Sequence, residues 1–236
     1  MSNHIKLFWI FTILTFTGCY PVDQPVFDGT VKDIDGNVYH TVKIGSQTWM
    51  MENLQTTHYS DSTAIPMIGD SAAWTNLITP AYCWYNNDSV TNKNVYGALY
   101  NWYSVNTGKL APKGWHVATN ADWSVLENTV SIYLYTSVSL PKILASRMNW
   151  TTSITMGAIG NNPGINNSSG FSALPGGSRE NNKFSFNTRG TTGNFWSSTV
   201  ISDTTALSFV MSYNQNSVDR HFKHKWNGLS VRCVKD

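Results

Sequence analysis

Residues 119–133, TNADWSVLENTVSIY, and residues 207–213, LSFVMSY, decide the fold class between them. Thr119 and Asp122 form a hydroxyl N-cap with an acidic residue three positions on. Trp123, Leu126, Val130 and Tyr133 then recur at helical spacing, so the first stretch is expected to be an amphipathic helix. In the second stretch Leu207, Phe209, Met211 and Tyr213 alternate with Ser208, Val210 and Ser212. That period of two is the mark of a half-buried strand. Leu229, Val231 and Cys233 alternate with Ser230, Arg232 and Val234 in the same way. The periodicity thus changes from helical to extended along the chain.

Working outward, Thr30 to Asp33 and Val38 to Ile44 are rich in β-branched residues around the turn pair Asp35-Gly36, which predicts a hairpin. Gly45-Ser46 turns the chain again before a short strand at Thr48-Trp49. Residues 55–80 and 157–170 read as loops. Val95 to Val105 (VYGALYNWYSV) reads as a short aromatic helix with Leu99, Trp102 and Tyr103 on one side. Gly114-Trp115 and Phe195-Trp196 read as turns whose tryptophans anchor the core.

The chain has 236 residues, 10 Trp, 11 Tyr and 10 Phe, with only 13% charged residues. Ser, Thr and Asn number 25, 25 and 24, about a third of the chain. A disordered chain would lack the aromatics, and a coiled coil would need far more Glu, Lys and Leu. A net charge of +2 is too balanced for a bulk nucleic-acid binder, so no nucleic-acid partner is expected.

The N-terminus reads MSNHIK, then the apolar run LFWIFTILTF, then Thr17-Gly18-Cys19. Ten apolar residues are too few to span a bilayer, which needs about 20, but suit a signal peptide. Phe16-Thr17-Gly18-Cys19 resembles a bacterial lipobox, with Phe16 where Leu is usual. Residues 1–19 are therefore expected to be a signal peptide and Cys19 a lipidation site. The lipid anchor would be the only membrane contact, in an outer-membrane or surface lipoprotein or, failing lipidation, a secreted protein. Residues 20–29, YPVDQPVFDG, read as a tether, and residues 30–236 as one domain.

Cys83 and Cys233 remain. In an oxidising compartment they are either bridged, which could stabilise by roughly 5 kcal/mol, or two buried thiols. They lack the CxxC spacing of a zinc site.

The blocks DIDGNVY (33–39), VKIG (42–45), ENL (52–54), YCWYNND (82–88), YGALYNW (96–102), PKGWHV (112–117), GFSALPGG (170–177), FWSST (195–199) and LSVRCV (229–234) occur in order. Together they resemble the Fibrobacter succinogenes major paralogous domain, a family common on exported proteins of Bacteroidetes-like bacteria. That family is similar to the formylglycine-generating sulfatase-modifying domains. The resemblance implies an α+β, C-type-lectin-like fold: two helices packed on small antiparallel sheets, with long loops on one face; the change of period agrees with it. Such a fold hosts enzymes, lectins and adhesins, so it does not settle function.

Sulfatase-modifying enzymes use a cysteine pair near the C-terminal end, where this chain has Cys233 alone. His221 and His224 are three apart on a predicted strand and would face opposite ways, so no metal site is read there. Asp33, Asp35 and Asn37 match the start of a calcium loop but lack its distal glutamate, and a hairpin turn is the simpler reading. No cofactor and no catalytic residue is assigned. Basic and aromatic side chains gather at Trp196, Arg220, His221, Lys223, His224, Lys225 and Trp226. These are the candidate ligand residues for an extracellular glycan or protein. Ser62, Ser71, Ser89 and Thr204 each follow aspartate and resemble O-glycosylation sites of such bacteria, though Asp-Ser and Asp-Thr are also good turn formers. The leading expectation is a non-catalytic envelope binding or adhesion module. The alternatives are an enzyme of the sulfatase-modifying lineage and a diversified ligand-display protein varied near Asn214, Asn216 and Asn227.

Overall fold

The computed structural model describes residues 26–75, 77–133, 138–180 and 185–236. Residues 1–25, including the expected signal peptide and Cys19, lie outside them. In chain order the elements are β1 (Val26–Lys32), β2 (Val38–Ile44), β3 (Gln47–Met50), α1 (Ser71–Trp74), β4 (Tyr82–Cys83) and α2 (Ser89–Tyr96). Then come β5 (Leu99–Tyr100), α3 (Trp102–Val105), β6 (Trp115–Val117), α4 (Asn120–Tyr133) and α5 (Leu140–Leu144). The chain finishes with β7 (Ser178–Glu180), β8 (Ser185–Asn187), β9 (Thr192–Val200), β10 (Thr205–Ser212), β11 (Val218–His224) and β12 (Cys233–Lys235). The class is α+β, with few helices and several small antiparallel sheets. Residues 26–29, read as tether, are the first half of β1 and pair with β2.

A five-stranded sheet has the order β1-β2-β3-β12-β6, and a three-stranded sheet the order β11-β10-β9. The last strand thus closes the sheet that the first strands open: Val234 sits opposite both Trp49 and His116. Two aromatic clusters flank these sheets. One holds Tyr39, Met50, Tyr100, Trp102, Trp196 and Cys233. The other holds Trp49, Trp123, Phe171, Phe195, Phe209 and Val234. α4 starts where its cap residues place it. The Asp122 carboxylate accepts from the Thr119 N–H at 2.8 Å, and the Thr119 hydroxyl accepts from the Asp122 N–H at 3.2 Å. Trp123 on its inner face stacks on Phe209 at 4.1 Å and lies 5.0 Å from Trp49, which ties α4 to both sheets. Offset aromatic pairs of this kind add about 0.5–1.5 kcal/mol each beyond their buried area.

β10 departs from a half-buried strand, because both of its faces are covered. Phe209 and Met211 join the second cluster and Leu207 is buried beside them, while Ser208 and Val210 are buried on the other side, where Ser208 faces Trp196. The Ser208 hydroxyl donates to His221 O at 3.0 Å, which satisfies a polar group at no cost to the strand.

The aromatic helix expected over residues 95–105 is not formed. Gly97 has φ +72°, and a Cβ there would meet Leu54 O at 2.7 Å, so the chain must turn. α2 ends at Tyr96, β5 pairs with β4, and Asn101 caps the separate α3 by accepting from Ser104 N–H.

The strand expected at 229–234 is regular only from Cys233. Before it the chain threads the core, with Gly228 bridging to Arg179, Leu229 to Tyr100 and Ser230 to Phe195. Arg232 is the peg of this passage. Its fully buried guanidinium donates to Asn53 Oδ1 (2.7 Å), Met50 O (2.9 Å), Phe171 O (2.8 Å) and Ser172 O (2.8 Å). Burial pushes its pKa down to about 9, so it remains charged at neutral pH.

Candidate ligand-binding surface

β11 is an edge strand: it pairs with β10 on one side, and nothing among the described residues pairs with it on the other. Its basic residues do not act as one group. Arg220 reaches back to α4, donating to Asn120 Oδ1 at 2.8 Å and pairing with Glu127. Lys223, near the other end, pairs with Glu180 at 2.8 Å. Half-exposed pairs of this kind contribute about 0–1 kcal/mol each. Their visible effect is to hold the edge strand to its neighbours.

Beyond β11 the chain makes a tight turn, His224 to Asn227, closed by the Asn227 N–H on His224 O at 2.9 Å. Three further bonds fix its backbone. Lys225 N–H donates to Thr204 O at 2.9 Å, Trp102 N–H donates to Lys225 O at 2.8 Å, and the Trp74 indole donates to Trp226 O at 2.8 Å. Gly228 follows in a tight place: a Cβ there would lie 3.1 Å from the Trp74 ring and 3.2 Å from Arg179 Cβ, so those neighbours would have to give way slightly.

The side chains of this turn are ordered by stacking. The exposed His224 ring lies on Trp226 at 4.4 Å between centroids and 9° between planes. Trp226 is half-buried. Lys225 lays its stem inward, 8% exposed, with its ammonium 4.6 Å from the Trp102 ring centre. Under the turn sits a second buried cation, Arg179. It donates to Ile68 O (2.6 Å), Gly69 O (2.8 Å) and Asp70 O (3.0 Å), and is stacked over Trp74 and Phe186. This packed base makes the turn a rigid presentation rather than a mobile loop.

The structure therefore brings together His224, Lys225 and Trp226 in one turn, with Lys223 on the opposite strand face from His224 and paired with Glu180. It does not add Trp196, which is fully buried and donates its indole N–H to Tyr100 O at 2.8 Å. That position corrects its assignment as a ligand residue, because no ligand reaches it. Arg220 lies at the far end of β11 against α4, and His221 is exposed on the opposite strand face from His224. Trp74, Trp102 and Arg179, which build the base of the turn, were not singled out as site residues. They lie in separate parts of the chain, and no spacing rule links them to residue 226.

Cys83 and Cys233 are both free and buried, in different core clusters. Of the two readings left open by the sequence, this is the unbridged one. Burial pushes the Cys83 thiol up to about 11, against the opposing pull of Arg179, and pushes Cys233 up as well. Asp33 does not await a cation. Its carboxylate accepts from the N–H groups of Asp35 and Asn37, from Asn37 Nδ2 and from Tyr39 OH at 2.6–3.0 Å. Among the described residues no cluster of three His, Cys, Asp or Glu could hold a metal.

Ser62, Ser89 and Thr204 are exposed and Ser71 is half-buried. Asp70 and Asp88, which precede Ser71 and Ser89, are helix N-caps that accept from Ala73 N–H and Thr91 N–H. Asn214 and Asn216 are exposed at the β10–β11 tip, whereas Asn227 is buried. No helix among the described residues is long and apolar enough to cross a membrane.

A family model described as the Fibrobacter succinogenes major domain matches residues 42–235. No curated protein and no solved structure matches the chain.

Proposed function

The chain belongs to the Fibrobacter succinogenes major domain family, and from that premise we propose that it is an exported, non-catalytic binding module with a C-type-lectin-like fold. The last strand closing the first sheet, and the long loops between short elements, support that finer fold reading. Export and the lipid anchor rest on residues 1–19. The ligand we assign is an extracellular glycan.

The observation that carries this reading is the turn at 224–227. It sets a half-buried tryptophan, capped by a parallel imidazole, on a base fixed by backbone hydrogen bonds from three distant segments. A rigid aromatic ring with polar neighbours suits the C–H face of a sugar and loses little entropy on binding. The two thiols, buried and shifted away from ionisation, support binding over thiol chemistry.

A glycan array and a panel of matrix proteins, probed with the exported chain and with Trp226→Ala, test the proposal. Selective glycan binding that the variant loses is the expected result. Retained binding in the variant, or turnover of any bound substrate, overturns it.

A further inference from the structure

We propose that the turn at 224–227 is an anion subsite, so that the glycan it holds carries carboxylate or sulfate groups; this rests on the glycan-binding reading above. Lys225 is nine-tenths buried along its stem, its ammonium lies over the Trp102 ring with no hydrogen-bond acceptor or carboxylate in reach among the described residues, and that ammonium is not shut off from solvent. In the next residue the Trp226 indole N–H is buried and also has no acceptor. Buried donors are nearly always satisfied, and an exception marks a strained group, a water or a ligand.

Two neighbouring charges are spent, while Asp203, beside the Thr204 carbonyl that holds Lys225 N–H, is exposed. Glu180 is paired with Lys223, and the Arg179 guanidinium is filled by three carbonyls. The other two buried cations make the contrast. Arg232 donates to four oxygens, and Lys142 donates to the carbonyls of Ala158, Asn161 and Asn162. Lys225 is the buried cation, among the described residues, whose partner is a ring alone. Two consecutive donors without acceptors, beside a stacked imidazole at the surface, suit an acceptor-rich group more than a neutral hydroxyl. Carboxylate and sulfate share that chemistry, and the experiment separates them.

The exported chain is run by affinity electrophoresis through gels holding dextran, polygalacturonate or dextran sulfate, with 20 to 500 mM NaCl. Retardation by one or both acidic polymers, weakening as salt rises, is expected. Lys225→Met keeps the apolar stem on Trp102 and removes the charge, and should weaken that retardation about tenfold or more. Lys225→Arg should restore most of it. Melting curves check that each variant is folded; if Lys225→Met is not, the wild-type salt series and Lys225→Arg decide. Equal retardation by dextran, insensitive to salt and to Lys225→Met, overturns the anion subsite and leaves the sugar-stacking reading standing. No retardation by any polymer, with an empty glycan array, removes both.

Discussion

Replacing Arg232 with methionine should cost about 3–5 kcal/mol of stability. The side chain is fully buried and makes no ion pair among the described residues, with Glu52 attracting it only at longer range; its four donated bonds end on neutral oxygens of Asn53, Met50, Phe171 and Ser172. At about 1 kcal/mol net for each bond, the loss is roughly 4 kcal/mol. The ring contact with Phe171, 4.6 Å from the guanidinium carbon, adds about 1 kcal/mol. Methionine recovers part of this by sparing the burial of a charge, but the four acceptors stay behind unpaired. With a urea slope of about 2–3 kcal/mol/M for a domain of this size, the midpoint should fall by about 1–2 M. Lysine at the same place has one ammonium for acceptors on three segments and should fall between. Urea unfolding followed by tryptophan fluorescence measures all three proteins. A midpoint shift below about 0.3 M for Arg232→Met would refute the idea that this peg joins β3, the 171–172 loop and the C-terminal passage.

Other outcomes follow from the same contacts. Trp196→Ala removes a fully buried indole and its bond to Tyr100, and should destabilise by about 3–5 kcal/mol, seen as a large drop in melting temperature; a shift of a degree or two would contradict its burial. Native Cys83 and Cys233 should resist iodoacetamide over an hour at pH 8 and react after denaturation, as read by peptide mass spectrometry; quick native labelling would refute their inertness. Burial works against the charge on His116, but its bonds to Asp236 (2.8 Å) and Asp122 (3.1 Å) outweigh that and raise its pKa. A raised folded pKa gives stability that is complete below the unfolded value of about 6.5 and is lost as pH climbs through the folded one. The ring is 38% exposed, so the effect is a few tenths of a kcal/mol. Between pH 6 and 8.5 the wild type should lose slightly more melting temperature than His116→Gln, and equal slopes would refute the linkage.

Local signals were readable where the physics is local. The Asp35-Gly36 hairpin, the Thr119–Asp122 cap and the alternation at 207–213 each correspond to an observed element. They failed where distant contacts decide. Gly97 looked tolerable in a helix until Leu54 O closed on it, and residues 228–232 alternate like a strand while serving three different partners. The site was half legible for the same reason. Composition pointed to 220–226, but the sequence could not tell that Trp196 is spent inside or that Arg220 is spent on α4. Nor could it tell that Trp74, Trp102 and Arg179, more than forty residues away from the turn, form its base.

The proposed binding role turns on whether residue 226 meets a ligand. Isothermal titration of the protein and of Trp226→Ala with the best glycan from an array tests this directly. The account predicts measurable affinity for the wild type and at least a tenfold loss in a variant that still melts cooperatively. Equal affinity in both proteins would contradict it.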